Sequence, residues 1–167
     1  MWNRIQRNSR RGFSLTELLI VIAIILIIVA AALPRLTKAR MFAEETAAIR
    51  AVSVMHTAQT QYYSQYGRYA TALAELGPPA SGSAGPSGAD LLDRELGEGR
   101  KGGYLFNLQG NPQGYIISAQ PKQFGTNGSR TFYSDQTQII RNRNSNEPAT
   151  AQDSEIGSSD KPAADKK

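Results

Sequence analysis

The chain has 167 residues, with 19 Lys and Arg against 14 Asp and Glu for a formal charge of +5, no cysteine and a single histidine. That length holds one small domain beside any targeting segment, and the missing cysteines exclude a disulfide staple and a thiolate metal site. Arg4, Arg7, Arg10 and Arg11 all precede Gly12, and without them 15 basic residues face 14 acidic ones. The basicity therefore belongs to the N-terminus, and no general nucleic-acid-binding surface is supported.

Residues 1–12 read as a polar, basic leader without an acid. Arginines in front of an apolar run favour retention of that end in the cytoplasm. Residues 13–33 then supply a segment interrupted only by Ser14, Thr16 and Glu17. As a helix it spans about 31 Å, close to the roughly 30 Å thickness of bilayer hydrocarbon. A charge at the centre of such a segment costs about 2.5–3.5 kcal/mol and somewhat less near its end, so Glu17 is read as functional. Pro34 follows. A proline in a helix removes one hydrogen bond and bends or loosens the turn before it. A helix break and a plain boundary between a membrane half and an aqueous half both fit.

The stretch Arg11-Gly12-Phe13-Ser14-Leu15-Thr16-Glu17, opening into that apolar run, resembles the class III signal of type IV pilins and of type II secretion pseudopilins. In that family a glycine precedes the cut, phenylalanine becomes the new N-terminus, and a glutamate stands fifth after the cut. The resemblance implies that a prepilin peptidase cuts after Gly12 and methylates the new amine of Phe13. It implies that Glu17 acts in assembly, and that the segment before Pro34 can loosen as subunits pack. Thr16 departs from the family, where an aliphatic residue is more usual, and the leader is rather long. The absence of cysteines departs from pilins that staple a C-terminal loop. Ser9-Arg10-Arg11-Gly12-Phe13-Ser14-Leu15 also resembles a twin-arginine export signal, with Ala30-Ala31-Ala32 as its cleavage site. Against that, cleavable apolar regions usually run 7–15 residues and carry no acid, and a cut at Ala32 would sever one continuous helix.

Beyond Pro34, Met41, Ala48, Val52, Met55, Gln59, Tyr62 and Tyr66 recur at helical spacing and predict one apolar stripe over residues 35–66. Lys38, Arg40, Glu44, Arg50, Ser53 and Thr57 lie on the other face. Tyr62, Tyr63, Tyr66 and Tyr69 suit a helix end closed over its core better than a stacking or electron-transfer surface. His56, with no cysteine or second histidine beside it, is a surface or packing residue and not a metal ligand.

Gly67 is placed to end the helix in a left-handed cap. Residues 67–103 read as a long loop region, with a flexible Gly, Pro, Ala and Ser tip over 77–89 and a short helical turn over 89–96. The segment Gln61-Tyr62-Tyr63, with Tyr66-Gly67-Arg68-Tyr69, Leu73 and Leu76, resembles the end of the long helix and the loop after it in many pilins and pseudopilins. Asp90, Asp93, Glu95 and Glu98 lack the alternating spacing of a calcium loop and read as a solvated face. Residues 104–141 read as an antiparallel sheet of four short strands: 104–108 and 115–119 around a five- or six-residue turn, then 130–134 and 138–141. Phe106, Leu108, Ile117, Phe132 and either Ile139 or Ile140 would cover a helix face. Residues 142–167 hold Ile156 as their single large apolar residue and are expected to be disordered.

No phosphate loop, catalytic triad or metal-ligand spacing is present. The chain is read as a non-enzyme without catalytic, cofactor-binding or metal-binding residues. The fold expected is α+β and pilin-like, with one long N-terminal helix, membrane-spanning over 13–34 and amphipathic over 35–66, packed on a four-stranded sheet. The resemblance implies a structural subunit of a type IV pilus or related filament machine, or alternatively a pseudopilin of a type II secretion system. Its partners would be identical or related pilin subunits, the prepilin peptidase and methyltransferase, an inner-membrane assembly platform and the lipid bilayer, with no nucleic acid required. It would sit in the inner membrane as a single-pass protein with a cytoplasmic N-terminus, then in a periplasmic or cell-surface filament.

Overall fold

The structure, a computed structural model, describes residues 13–111 and 113–157. The expected leader with Gly12, the residue Pro112 and the last ten residues of the expected tail lie outside the described residues. The elements run α1 (Leu15–Tyr66), α2 (Leu73–Leu76), α3 (Arg94–Gly97), β1 (Arg100–Lys101), β2 (Tyr104–Asn111), β3 (Gly114–Pro121), β4 (Thr131–Asp135), β5 (Arg141–Arg143) and β6 (Ser154–Glu155). The chain divides into two compact units, Met1–Lys38 and Ala39–Lys167.

In the first unit the described chain is the opening of α1, and every residue over 13–33 is exposed. A helix satisfies all its backbone groups internally, so this segment can be apolar on every side and still suit a bilayer. The helix runs on through Pro34. The helix is not interrupted there, because a proline deletes one donor from a ladder whose remaining bonds still hold.

The second unit is organised by the later part of α1. Ala48, Val52, Met55, Gln59 and Tyr62 are buried, joined by Ala51 and Ala58, and Met41 and Tyr66 are half-buried at the two ends of the stripe. Lys38, Arg40, Arg50, Ser53 and Thr57 are exposed opposite them, with Glu44 half-buried. The stripe shares one core with Tyr104, Phe106 and Leu108 of β2, Tyr115, Ile117 and Ala119 of β3, and Phe132 of β4. Each large apolar side chain buried this way contributes about 1.5–3 kcal/mol.

The sheet is an antiparallel meander in the order β1-β2-β3-β4-β5-β6. Its register stacks the inward residues in rows: Phe106 opposite Ala119 opposite Phe132, then Leu108 opposite Ile117 opposite Ser134. Six strands replace the four expected. β1 falls in the expected loop, β5 begins where the expected fourth strand ended, and β6 lies in the expected disordered tail. Residues 138–140 are not strand; Ile140 packs on the core while Ile139 stays 38% exposed. The β2–β3 ladder runs to Asn111 opposite Gly114, so its turn is shorter than expected. Asn111 Oδ1 closes it by accepting the amides of Gln113 and Gly114 at 2.9 Å.

Polar contacts in place of apolar burial order residues 142–157. Arg143 Nε donates to both carboxylate oxygens of Asp153 at 3.1 Å, and Arg141 donates to the Asp153 carbonyl at 2.9 Å. Thr131 Oγ1 donates to the Glu147 carbonyl, and the Ile156 amide to the Ile140 carbonyl. Ala149 is buried and Ile156 packs against the core.

The connection after α1 is equally tied. Gly67 ends the helix at φ +69, its amide donating to Tyr63 O at 2.8 Å, the left-handed cap expected. Leu73 and Leu76 of α2 are buried. Gly110 lets β2 pass close by, since a Cβ there would lie 2.4 Å from the Ala70 carbonyl oxygen. Within the expected helical turn only Arg94–Gly97 is helical, capped by Asp93 Oδ1 accepting the Leu96 amide at 2.9 Å.

Candidate assembly site at the start of the long helix

Phe13 precedes the helix with its side chain 78% exposed, and α1 begins at Leu15. Glu17 therefore lies in the first helical turn, where the unpaired amides and the dipole of the helix favour a negative charge. Ser14 and Glu17 have the S-x-x-E spacing of a capping box, a signal readable in the sequence. In the structure the Ser14 hydroxyl pairs with Thr16 Oγ1 at 2.8 Å, so Thr16, the departure from the family, gives Ser14 a hydroxyl partner. The Glu17 carboxylate is exposed and has no hydrogen-bond or ion-pair partner among the described residues.

Immediately after Glu17 come Leu18, Leu19, Ile20, Val21 and Ile22, each between 44% and 59% exposed, and the apolar surface continues through Ile27 at 71% and Leu33 at 57%. The helix is long and apolar enough to cross a membrane. An isolated anion at the rim of such a surface is stable only among water and headgroups or opposite a cation. Chemically the site can attract a positive group and can hide apolar surface. Of the residues singled out in the sequence, Phe13 and Glu17 fall together here, Gly12 lies outside the described residues, and Pro34 sits farther along the same helix.

Residues 7–33 match the family described as the prokaryotic N-terminal methylation motif. The chain is also similar to the type IV major pilin protein PilA of Myxococcus xanthus (strain DK1622), at 37% identity over 67 residues. Both likenesses support a type IV pilin-like protein. The aligned part covers 40% of this chain and spans 30% of the relative's length.

Elsewhere several polar side chains are tied into the fold by hydrogen bonds. Glu45 is buried within the apolar stripe at 5% exposure. Its carboxylate accepts from the Ser129 amide at 2.7 Å, the Ser129 hydroxyl at 2.9 Å and Arg130 Nε at 2.8 Å. Sequence reasoning missed this anchor, although a glutamate in register with Met41, Ala48 and Val52 is itself a signal that a buried partner is needed. Tyr62 is packed on Tyr66 with ring centroids 4.6 Å apart. Its hydroxyl reaches Glu75 Oε2 at 2.8 Å and the Pro86 carbonyl at 2.7 Å, and burial with the nearby Glu75 pushes it up to about 12. Burial works against the Glu75 carboxylate, but hydrogen bonds from Thr71, Tyr62 and Arg68 together hold its pKa below the ordinary value. Tyr63 and Tyr69 pair at 4.7 Å. The cluster packs the end of α1 onto the connection that follows it. Asp93 pairs with Lys101 and Glu98 with Arg100, while Asp90 and Glu95 are exposed. No group of three His, Cys, Asp or Glu among the described residues is placed to hold a metal.

Proposed function

We propose that the chain is a structural subunit of a type IV pilus or a closely related filament machine. It enters the inner membrane as a prepilin with its N-terminus in the cytoplasm, is cut after Gly12 and N-methylated at Phe13. It then leaves the bilayer for a periplasmic or cell-surface filament by helix packing on an assembly platform. The carrying observation is the Glu17 carboxylate, partnerless among the described residues at the head of an apolar segment that is exposed over residues 18–33. Cutting after Gly12 creates a positive amine at Phe13, four residues before that carboxylate and just ahead of α1. In parallel, staggered copies the amine of one subunit meets Glu17 of its neighbour. Each charge is costly alone in oil; pairing offsets part of that cost and sets the axial register. Pro34, one hydrogen bond short, is where α1 can loosen as subunits pack.

The likeness to a major pilin supports a pilus subunit over a secretion pseudopilin. N-terminal mass spectrometry of the protein from its native host tests the processing step. The expected first residue is N-methyl-Phe13, whereas a mature start at Leu33 would put an export signal in place of a prepilin leader.

A further inference from the structure

The sequence contains a single Asn-Gly pair, Asn127-Gly128. It lies in the β3–β4 connection, whose residues 122–126 are exposed and whose Asn127 is half-buried. An asparagine followed by glycine is the least hindered setting for one reaction, attack of the next backbone nitrogen on the side-chain amide carbon. Glycine has no side chain to crowd that nitrogen and reaches backbone angles that other residues do not.

Packing keeps both members of the pair in place. Asn127 Nδ2 donates to Glu44 Oε2 at 2.8 Å, which ties the connection to α1. A Cβ on Gly103 would collide with both partners of that bond, so they lie flat against the chain entering β2. Gly128 in turn passes beside Tyr104, where a Cβ would collide with the tyrosine hydroxyl. That hydroxyl donates to the Arg130 carbonyl at 2.8 Å, and the tyrosine is fully buried. Replacing Asn127 by an apolar residue loses the tie, and replacing Gly128 displaces Tyr104.

We propose that Asn127 is a site of spontaneous deamidation, and that its product unties the β3–β4 connection from Glu44 of α1. The Gly128 nitrogen bonds to the Asn127 side-chain carbon and gives up its proton, and the side-chain nitrogen leaves as ammonia. The result is a five-membered imide. Water then adds to one of its two carbonyls and breaks that carbon's bond to the ring nitrogen. One opening leaves aspartate; the other leaves isoaspartate, with the backbone running through the former side chain. Nothing is oxidised or reduced, and water is the co-reactant. Either product removes the amide donor, so a carboxylate takes its place and the Glu44 acceptor faces an acceptor. Two carboxylates held in contact repel. Glu44 Oε1 stays with Arg40 Nε at 2.9 Å, Lys122 Nζ is committed to the Gly102 carbonyl at 2.9 Å, and Arg130 is committed to Glu45. Residue 127 is therefore the side that swings out. The isoaspartyl product also lengthens the chain by one atom beside Gly128, where Tyr104 leaves no slack. These contacts all lie within one subunit, so the inference stands or falls apart from the filament reading.

The test uses the full chain in detergent micelles, aged in mildly alkaline buffer. Peptide mapping by mass spectrometry should show aspartate and isoaspartate accumulating at Asn127 ahead of Asn144, an exposed asparagine followed by serine. Asn127→Gln keeps the amide but closes the imide ring poorly, and should not convert. Asn127→Asp reproduces one product directly. Its amide exchange over residues 123–129 should run about tenfold faster than in the parent, the loss of one hydrogen bond to a charged acceptor. The β2–β3 amides should keep their protection. No conversion at Asn127, or conversion slower than at Asn144, would overturn the site. Unchanged exchange in Asn127→Asp would overturn the untying. If that variant does not fold, aged parent chain separated by charge from unconverted chain gives the same exchange comparison.

Discussion

Residues 18–33 and residues 48–62 belong to the same helix, yet the first stretch is exposed throughout while the second buries Ala48, Val52, Met55, His56, Gln59 and Tyr62. The more apolar of the two is the one left uncovered. Its surface suits a bilayer or copies of itself, because a helix that is hydrophobic all round has no polar side to give to water. The second stretch is apolar on one side only, and its own chain supplies the sheet that covers it. Burial within one subunit therefore separates what α1 does for assembly from what it does for folding, and each role can be broken without the other.

The largest effect belongs to Glu17. On the proposed reading, Glu17→Ala should still be inserted and cut after Gly12, but should fail to enter filaments. Removing one member of an ion pair held in oil costs about 3–5 kcal/mol, more than a hundredfold in incorporation at about 1.4 kcal/mol per tenfold. Filament yield from cells with this variant as the only subunit source is the measurement. Normal yield would break the assembly half of the comparison.

The folding half breaks at Met55, which is fully buried. In a chain beginning at Ala39, expected to be soluble and to unfold cooperatively, Met55→Ala should cost about 2–5 kcal/mol in denaturant unfolding. In the full chain Ile25→Ala should leave the unfolding of the sheet unit within about 0.5 kcal/mol of the parent. A fragment that aggregates would mean that the stripe through Val52, Met55 and Tyr62 is not covered by its own sheet.

The same contrast explains what the sequence made legible. Residues 13–33 announce themselves by an apolar run with one charge at its head, and the stripe of residues 41–66 by its helical period. Phe106, Leu108, Ile117 and Phe132 were legible as an inward face, but the rows they form with Ala119 and Ser134 depend on a strand register that the sequence did not show. The Glu45 anchor was hidden because its partners, Ser129 and Arg130, lie more than eighty residues away. His56 reads in the sequence as a surface or packing residue, and its partners Tyr115 and Ser134 become neighbours only once the sheet is paired. Least legible was 142–157, where hydropathy predicts disorder and charge-assisted hydrogen bonds supply the order instead.

That region gives the smallest and most specific test. Asp153 accepts from Arg143 Nε, from the Thr150 amide at 2.6 Å and from the Thr150 hydroxyl at 3.0 Å. The Arg143–Asp153 pair is partly shielded, with side chains 31% and 18% exposed. Solvent screening reduces what such a pair contributes, so Asp153→Asn should cost about 1 kcal/mol. The loss should appear as faster amide exchange across β5 and β6, with β2 and β3 unaffected. Burial works against the Asp153 carboxylate, but the Thr150 amide and hydroxyl and Arg143 together hold its pKa below the ordinary 3.8. Its contribution is therefore complete above 3.8 and disappears only as pH falls through the lowered folded value. Acid loosening of β5–β6 should accordingly come below 3.8, and Asp153→Asn should abolish it. If Asp153→Asn leaves β5–β6 protection unchanged at pH 7, the ion pair does not order this segment, and the small apolar contacts of Ala149 and Ile156 do.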